Sequence, residues 1–330
     1  MLKIGNLTLI SPVMLSPMAG VSDLPFRMMN RRFGCGLAFA EMISARALTY
    51  RNSNTLKMLS TNPADRPLGL QLLGNDSKIM LKALDILRDH EFDVLDINAA
   101  CPVSKVTKRG EGSAMLREPR TLFEVLKAVV DHSHLPVTVK IRAGWDESSV
   151  NARDVALYAQ EAGVSAVFIH GRTQSQGYSG SVDYDEIRKV KEALAIPVIA
   201  SGDAFSAELI RNIFDVTGCD GVAVARGALG NPWIFDETVQ YLKNGTVPAR
   251  PSIEELVDTM IIHLDLSVEA DGDVAGTTKF RKLFAWYVKG LRDTRDIRTE
   301  AFRAETRREM LALINKLRNT SYRSVAGRFS

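Results

Sequence analysis

Cysteine is scarce in this chain of 330 residues: there are 3, at positions 35, 101 and 219, with no CxxC pair. That excludes a disulfide framework and a cysteine-based zinc site, and it fits a reducing compartment, so a cytoplasmic protein is expected. The 5 histidines form no HxxxH pair, and no metal is expected. No apolar run approaches the roughly 18 residues a membrane span needs, which leaves no expectation of a membrane partner. The opening stretch MLKIGNLTLISPV has neither the basic start nor the cleavage site of a signal peptide. No G-x-G-x-x-G follows an apolar run, which weakens an open dinucleotide-binding sheet.

What is present is the composition of a globular protein, 45% hydrophobic and 25% charged. The length suits one large barrel with an appendage, or two domains. The net charge of +3 conceals an asymmetry. From Thr277 to Ser330 there are 14 basic and 5 acidic residues, a net of +9, against −6 for the remainder. A basic tail on an acidic body points to a polyanionic partner, or to an Arg-rich solvated helix face.

Short apolar runs recur through the first 230 residues: 13–18, 37–42, 67–73, 92–97, 136–141, 166–170, 197–202 and 221–226. Most of them are apolar throughout, as in strands buried on both faces of a parallel sheet. Segments with helical period, such as 77–90, 121–132 and 207–218, alternate with them. Eight such units predict a (β/α)₈ barrel. Gly245, Pro248 and Pro251 then read as a linker, followed only by helix. Apolar stripes at 280, 283, 284, 287, 288 and 291, and at 310, 313, 314 and 317, predict helices over 278–291 and 301–317. Arg281, Lys282, Lys289, Arg292, Arg303 and Arg307 fall largely off those stripes. The expected fold is an α/β barrel over residues 1–242 and a C-terminal all-helical domain over 250–330.

In such a barrel the chemistry lies at the C-terminal ends of the strands. The polar groups there are Pro17-Met18-Ala19-Gly20, Glu41, Gln71, Asn98 with Cys101, Lys140 with Arg142, His170 with Arg172, Ser201-Gly202-Asp203, and Ala225-Arg226-Gly227. Taken singly, each has a plain structural explanation, a cap or a surface ion pair. Together they describe a site for a planar, phosphorylated cofactor, and flavin mononucleotide (FMN) fits. Lys140 would offset negative charge on a reduced flavin, Gln71 would meet the ring edge, and the glycine loops would hold phosphate. A thiol, ordinarily protonated at neutral pH with a pKa of about 8.5, suits Cys101 as a general acid.

The sequence resembles the tRNA-dihydrouridine synthases, most of all their bacterial B-type branch. The resemblance rests on PMAGVSDLPFR, AEMISA, QLLG, DINAACPVSKV followed by GSAML, VTVKIRAGW, IHGRT, IASGD and VARGALGNPWIF, which together reach to about residue 240. It implies reduction of the C5=C6 bond of uridines in the tRNA D-loop, with hydride drawn from NADPH by way of FMN and a proton from Cys101. It further implies cofactor contacts from Pro17, Met18, Ala19, Gln71, Lys140, His170, Ser201, Gly202, Asp203, Ala225 and Arg226, and substrate contacts from Asn98, Arg142 and Arg172. The partner would be tRNA, held by the basic helical domain, and a monomer is expected. Two features depart from the family pattern: Ala99-Ala100 before the cysteine, where Met-Gly or Leu-Gly is usual, and Ala225, where glycine is common. A flavin barrel for a small pyrimidine, and a non-catalytic RNA-binding protein, remain as alternatives.

Overall fold

The computed structural model describes residues 1–319, so Arg323 and Arg328 of the basic tail lie outside the described residues. Among the described residues there are eleven strands: β1 (Leu2–Ile4), β2 (Leu7–Leu9), β3 (Val13–Leu15), β4 (Ala38–Phe39), β5 (Ile43–Ser44), β6 (Leu68–Leu73), β7 (Val94–Asn98), β8 (Val137–Arg142), β9 (Ala166–His170), β10 (Val198–Ser201) and β11 (Gly221–Val224). β3, β4 and β6 to β11 pair in parallel, and β11 returns to β3, closing an eight-stranded barrel. Each of the eight apolar runs contains one of these strands or all but its last residue.

Alternation along the strands sorts residues into a wall and a lumen. Leu70, Leu72, Leu95, Ile97, Val139, Ile141, Val167, Ile169, Val222 and Val224 point outward into one large cluster under the surrounding helices. Met14, Phe39, Val94, Phe168, Ile199 and Ala223 fill the lumen, with Ile4 and Leu9. The rings of Phe39 and Phe168 meet edge-to-face at 5.4 Å. Gly69 makes this possible, since a Cβ there would stand 2.4 Å from the Phe39 ring. On every barrel strand but β11, where Ala225 follows Ala223, the next inward residue is polar, so the lumen turns from hydrocarbon to hydrogen-bonding groups within two residues.

Two features are additions to the expected barrel. β1 and β2 form an antiparallel hairpin around Gly5, whose φ is +58°. β5 pairs only with the upper end of β6.

After the helix Ile234–Asn244 comes a helical region: Ile253–Asp271, Asp273–Tyr287, Arg295–Ala301 and Arg307–Lys316. Leu256, Met260, Leu264, Phe280, Phe284, Tyr287, Met310 and Ile314 form its core. Burying one such side chain contributes about 1.5–3 kcal/mol. The expected single helix over 301–317 is two. Ala301 ends one helix, and Thr306 starts the next by a capping box with Glu309. Lys282, Lys289, Arg292 and Arg303 are exposed, as their place off the stripes predicts. Arg281 and Arg307 are half-buried instead, tied to the Ala304 carbonyl at 2.7 Å and to Asp265 at 2.6 Å.

The helical region is seated on the barrel. Gly230, with φ +65°, lies so close that a Cβ would stand 2.4 Å from the Trp286 carbonyl carbon and 2.5 Å from the Tyr287 nitrogen. Trp233 packs between Phe33 and Tyr287, at 5.3 and 6.4 Å between ring centroids. Phe26 on the helix Leu24–Arg31 meets His263 at 6.0 Å. His263 is buried, 2.9 Å from the Tyr287 hydroxyl through Nδ1. Among the described residues no helix is long and apolar enough to cross a membrane.

Candidate active site

A cavity of about 430 Å³ opens at the C-terminal ends of the parallel strands. It is lined by Pro17, Met18 and Ala19 after β3, Gln71 on β6, Asn98 and Cys101 at and after β7, and Lys140 and Arg142 on β8. His170 on β9, Ser201, Gly202 and Asp203 at and after β10, and Ala225 and Arg226 after β11 complete that set. These are all of the residues singled out in the sequence as cofactor, catalytic or substrate groups, except Arg172.

Arg172 is turned away from the cavity and is 3% exposed. It donates to both carboxylate oxygens of Asp203, at 2.9 and 2.7 Å, and to the carbonyls of Ser179 and Gly180. Its donors are spent on holding two loops together. Arg142 does line the cavity, yet it too is committed: it donates to the carbonyls of Ala100 at 2.7 Å, Thr173 at 3.0 Å and Gly177 at 2.8 Å. Glu41 braces the 17–20 loop by accepting from the Gly20 N–H.

Cys101 sits on a loop pinned at nearly every peptide. Its N–H donates to Asn98 Oδ1 at 2.9 Å. Its carbonyl accepts from Ser113 Oγ at 2.8 Å and from the Ser113 N–H at 3.1 Å. The Pro102 carbonyl accepts from Gln174 Nε2 at 3.1 Å. Gly112, at φ +61°, lets this second loop approach, because a Cβ there would stand 2.9 Å from the Cys101 oxygen. Ala99 is buried in the wall and Ala100 lines the cavity. Arg142 and Asn98 grip the Ala100 backbone rather than its side chain, so this grip is independent of which residue stands at 100.

Lys140 Nζ donates to Ser201 Oγ at 2.9 Å. Burial pushes its ammonium below the usual lysine range, and the Asp96 charge opposes that shift. Burial raises the Asp96 carboxyl, against hydrogen bonds from Gln71 and Thr138. His170 is held well below the usual imidazole range, first by burial and then by Lys140, Arg142, Arg172 and Arg226, so its ring is neutral at neutral pH. Ser201-Gly202-Asp203 forms a tight turn: Gly202 has φ +119° and Asp203 φ +50°. A Cβ on Gly202 would stand 2.8 Å from Val182 and 2.9 Å from His170.

The family described as dihydrouridine synthase (Dus) matches residues 14–323. The chain belongs to the dihydrouridine synthase family. A probable tRNA-dihydrouridine synthase from Rickettsia bellii (strain RML369-C) is 38% identical over 299 residues, 90% of this chain and 92% of that one. tRNA-dihydrouridine synthase B from Vibrio vulnificus (strain CMCP6) is 38% identical over 288 residues, 87% of this chain and 89% of that one. tRNA-dihydrouridine synthase B from Pseudomonas putida is 38% identical over 287 residues, 87% and 85% of the two chains. Among solved structures, a FabK mutant from Thermotoga maritima is similar over 67% of this chain and 63% of that one, at 16% identity and a TM-score of 0.42.

Some groups in this dihydrouridine synthase cavity gave no sequence signal. Tyr178, 61% exposed, stands at the mouth with the guanidinium carbons of Arg226 and Arg142 at 5.1 and 5.6 Å from its ring centroid. Phe205 takes the other side of Arg226 at 5.2 Å. Both lie outside the regular elements, where no periodicity marks a residue. Asp96 lies in the apolar run 92–97 and reads there as an isolated acid. Among the described residues no group of three or more His, Cys, Asp or Glu stands together as a metal site.

Proposed function

We propose that this protein is a tRNA-dihydrouridine synthase that reduces the C5=C6 bond of uridines in the tRNA D-loop, with FMN as resident flavin and NADPH as electron donor. The cavity residues fit FMN. Gly202 and Gly227 expose bare backbone where the loops crowd: a Cβ on Gly227 would stand 2.0 Å from the Ala204 carbonyl oxygen. Such close-set backbone suits a phosphate. Arg226 lies beside that turn, 3.5 Å from Asp203. Gln71 keeps one N–H and one lone pair for a ring edge, and Lys140 supplies a cation.

The chemistry a bound FMN would supply is a hydride for C6 of the uracil, with NADPH as its source. The protein's own part is to place the base and deliver a proton. Cys101 gives that proton to C5, from a loop whose peptides hold the thiol at a fixed point. Lys140 and the neutral His170 polarise or orient what they face. The uracil must leave its stack to reach the cavity, which costs a few kcal/mol. Residues 250–330 supply phosphate contacts that offset this, and residues 1–242 carry the chemistry. The protein works as a cytoplasmic monomer.

The observation that supports this reading best is the convergence of Cys101, Asn98, Gln71 and Lys140 on one cavity in a chain of this family. The test has two arms. The purified protein should be yellow, release FMN on denaturation, and oxidise NADPH in step with dihydrouridine formed in tRNA transcripts. A colourless protein, or equal turnover of free uracil without RNA, overturns it. Cells lacking the gene should lose dihydrouridine at the position it serves.

A further inference from the structure

Asp96 is a buried carboxylate, 1% exposed, that the reaction above does not use. It stands at the register position where three strands meet: Gln71 on β6 pairs with Asp96 on β7, which pairs with Thr138 on β8. Asn98, two residues further along β7, shares its inward face. All four are buried.

Their hydrogen bonds have only one possible direction. An ionised carboxylate accepts and never donates. Thr138 Oγ1 therefore donates to Asp96 Oδ1 at 2.7 Å, and Gln71 Nε2 to Oδ2 at 2.6 Å. With its NH₂ so used, Gln71 turns its Oε1 to Asn98, whose Nδ2 donates to it at 2.6 Å. That leaves Asn98 Oδ1 facing the loop, where it accepts from the N–H groups of Ala100 at 3.1 Å and Cys101 at 2.9 Å. Turning Gln71 over would set acceptor against acceptor at Asp96 and donor against donor at Asn98; turning Asn98 over to relieve that would set donor against donor at the cysteine.

We propose that Asp96 is a positioning residue: as the acceptor-only end of the series Asp96–Gln71–Asn98, it fixes the sense of both amides and thereby holds the Cys101 peptide. The proposal rests on the catalytic role given to Cys101, but its test reads the thiol itself. Cys35 and Cys219 are buried, so mild alkylation of the native holoprotein reports Cys101 alone. Asp96→Asn keeps the shape and supplies a group that can donate as well as accept, so the amides lose their fixed sense. Assayed with FMN in excess, the variant should keep its melting temperature and its KM for tRNA. Its kcat should fall about tenfold, the scale of a small misplacement of a reacting group. Cys101 should alkylate about threefold faster as the loop opens more often.

A second variant guards against simple misfolding. In Asp96→Asn/Gln71→Glu the acceptor-only group moves one link along. Asn at 96 can donate to Glu at 71, and Asn98 again turns its oxygen to the loop. Alkylation should return to the wild-type rate. Wild-type kcat and thiol reactivity in Asp96→Asn overturn the proposal, as does a double variant whose thiol stays fast. Loss of activity with an unchanged alkylation rate overturns it too. If instead Cys101→Ala stays active, the catalytic reading fails while the thiol rates still decide how the loop is held.

Discussion

Arg172 and Asp203 form a two-pronged ion pair, with Nη1 and Nη2 at 2.9 and 2.7 Å from separate carboxylate oxygens. Asp203 has φ +50°, a conformation that a residue with a side chain adopts only at some cost, and the guanidinium fork holds it there. The pair links the loop after β9 to the turn after β10. Arg172→Ala should free that turn while leaving the cavity's other groups in place. The apparent dissociation constant for FMN, read by flavin fluorescence on titrating apoprotein, should rise about tenfold, equivalent to about 1.4 kcal/mol. Arg172→Lys should rescue little, because a point charge does not reproduce the fork.

Cys101→Ala removes the proposed proton donor and leaves the backbone grip of Asn98 and Ser113 intact. The variant should bind FMN and tRNA as the wild type does. Dihydrouridine formed in a single turnover should drop by about 10²- to 10⁴-fold, the usual worth of a general acid. Near-normal yield would remove Cys101 from that role.

Burial pushes His263 down to about 3 from an ordinary 6.5. The folded protein thus refuses a proton that the unfolded chain accepts. The stability this residue contributes is complete above about pH 6.5 and is lost as pH falls toward 3. Urea unfolding at pH 7.5 and pH 5.0 should show the wild type losing about 2 kcal/mol more than His263→Gln between the two. His170 shifts in the same direction in both proteins and cancels from the comparison.

Arg298 and Arg303 are exposed on the helical region. If they meet phosphates, each contributes to counterion release. Arg298→Gln/Arg303→Gln should weaken tRNA binding and lower the slope of log affinity against log salt by about 1 to 2. FMN content and RNA-independent NADPH oxidation by the holoprotein should not change. An unaltered slope would assign the RNA grip to other residues.

The barrel was legible in the sequence because its walls are written in apolar runs: Leu70, Leu72, Ile97, Val139 and Ile169 all face helices. The strand ends were legible for the same reason, since the polar residues fall near the end of a run or just past it. The hairpin of β1 and β2 was missed although Gly5-Asn6 sits between alternating residues, a turn signal overshadowed by its shortness. The break at 302–306 was visible as Thr306…Glu309, the spacing of a capping box, within a stripe that otherwise reads as continuous. What could not be read is where the arginines point. Arg142 and Arg172 are satisfied by carbonyls of Thr173, Gly177, Ser179 and Gly180, and a backbone oxygen carries no mark of its partner in the sequence. Asp96 was hidden likewise, its neighbours set by register across three strands.

Gly230 brings the barrel's last loop against the backbone at Trp286 and Tyr287 with no side chain between them. A junction made of main chain has little freedom to tilt. If the basic helices grip RNA as proposed, they and the cavity would work as the two points of a caliper, set to one opening. An RNA gripped at one point would be measured off to the other, and the base that reaches Cys101 would be chosen by distance and angle along the fold of the RNA. Altering this junction would re-aim the caliper, changing the address of the modification before its rate.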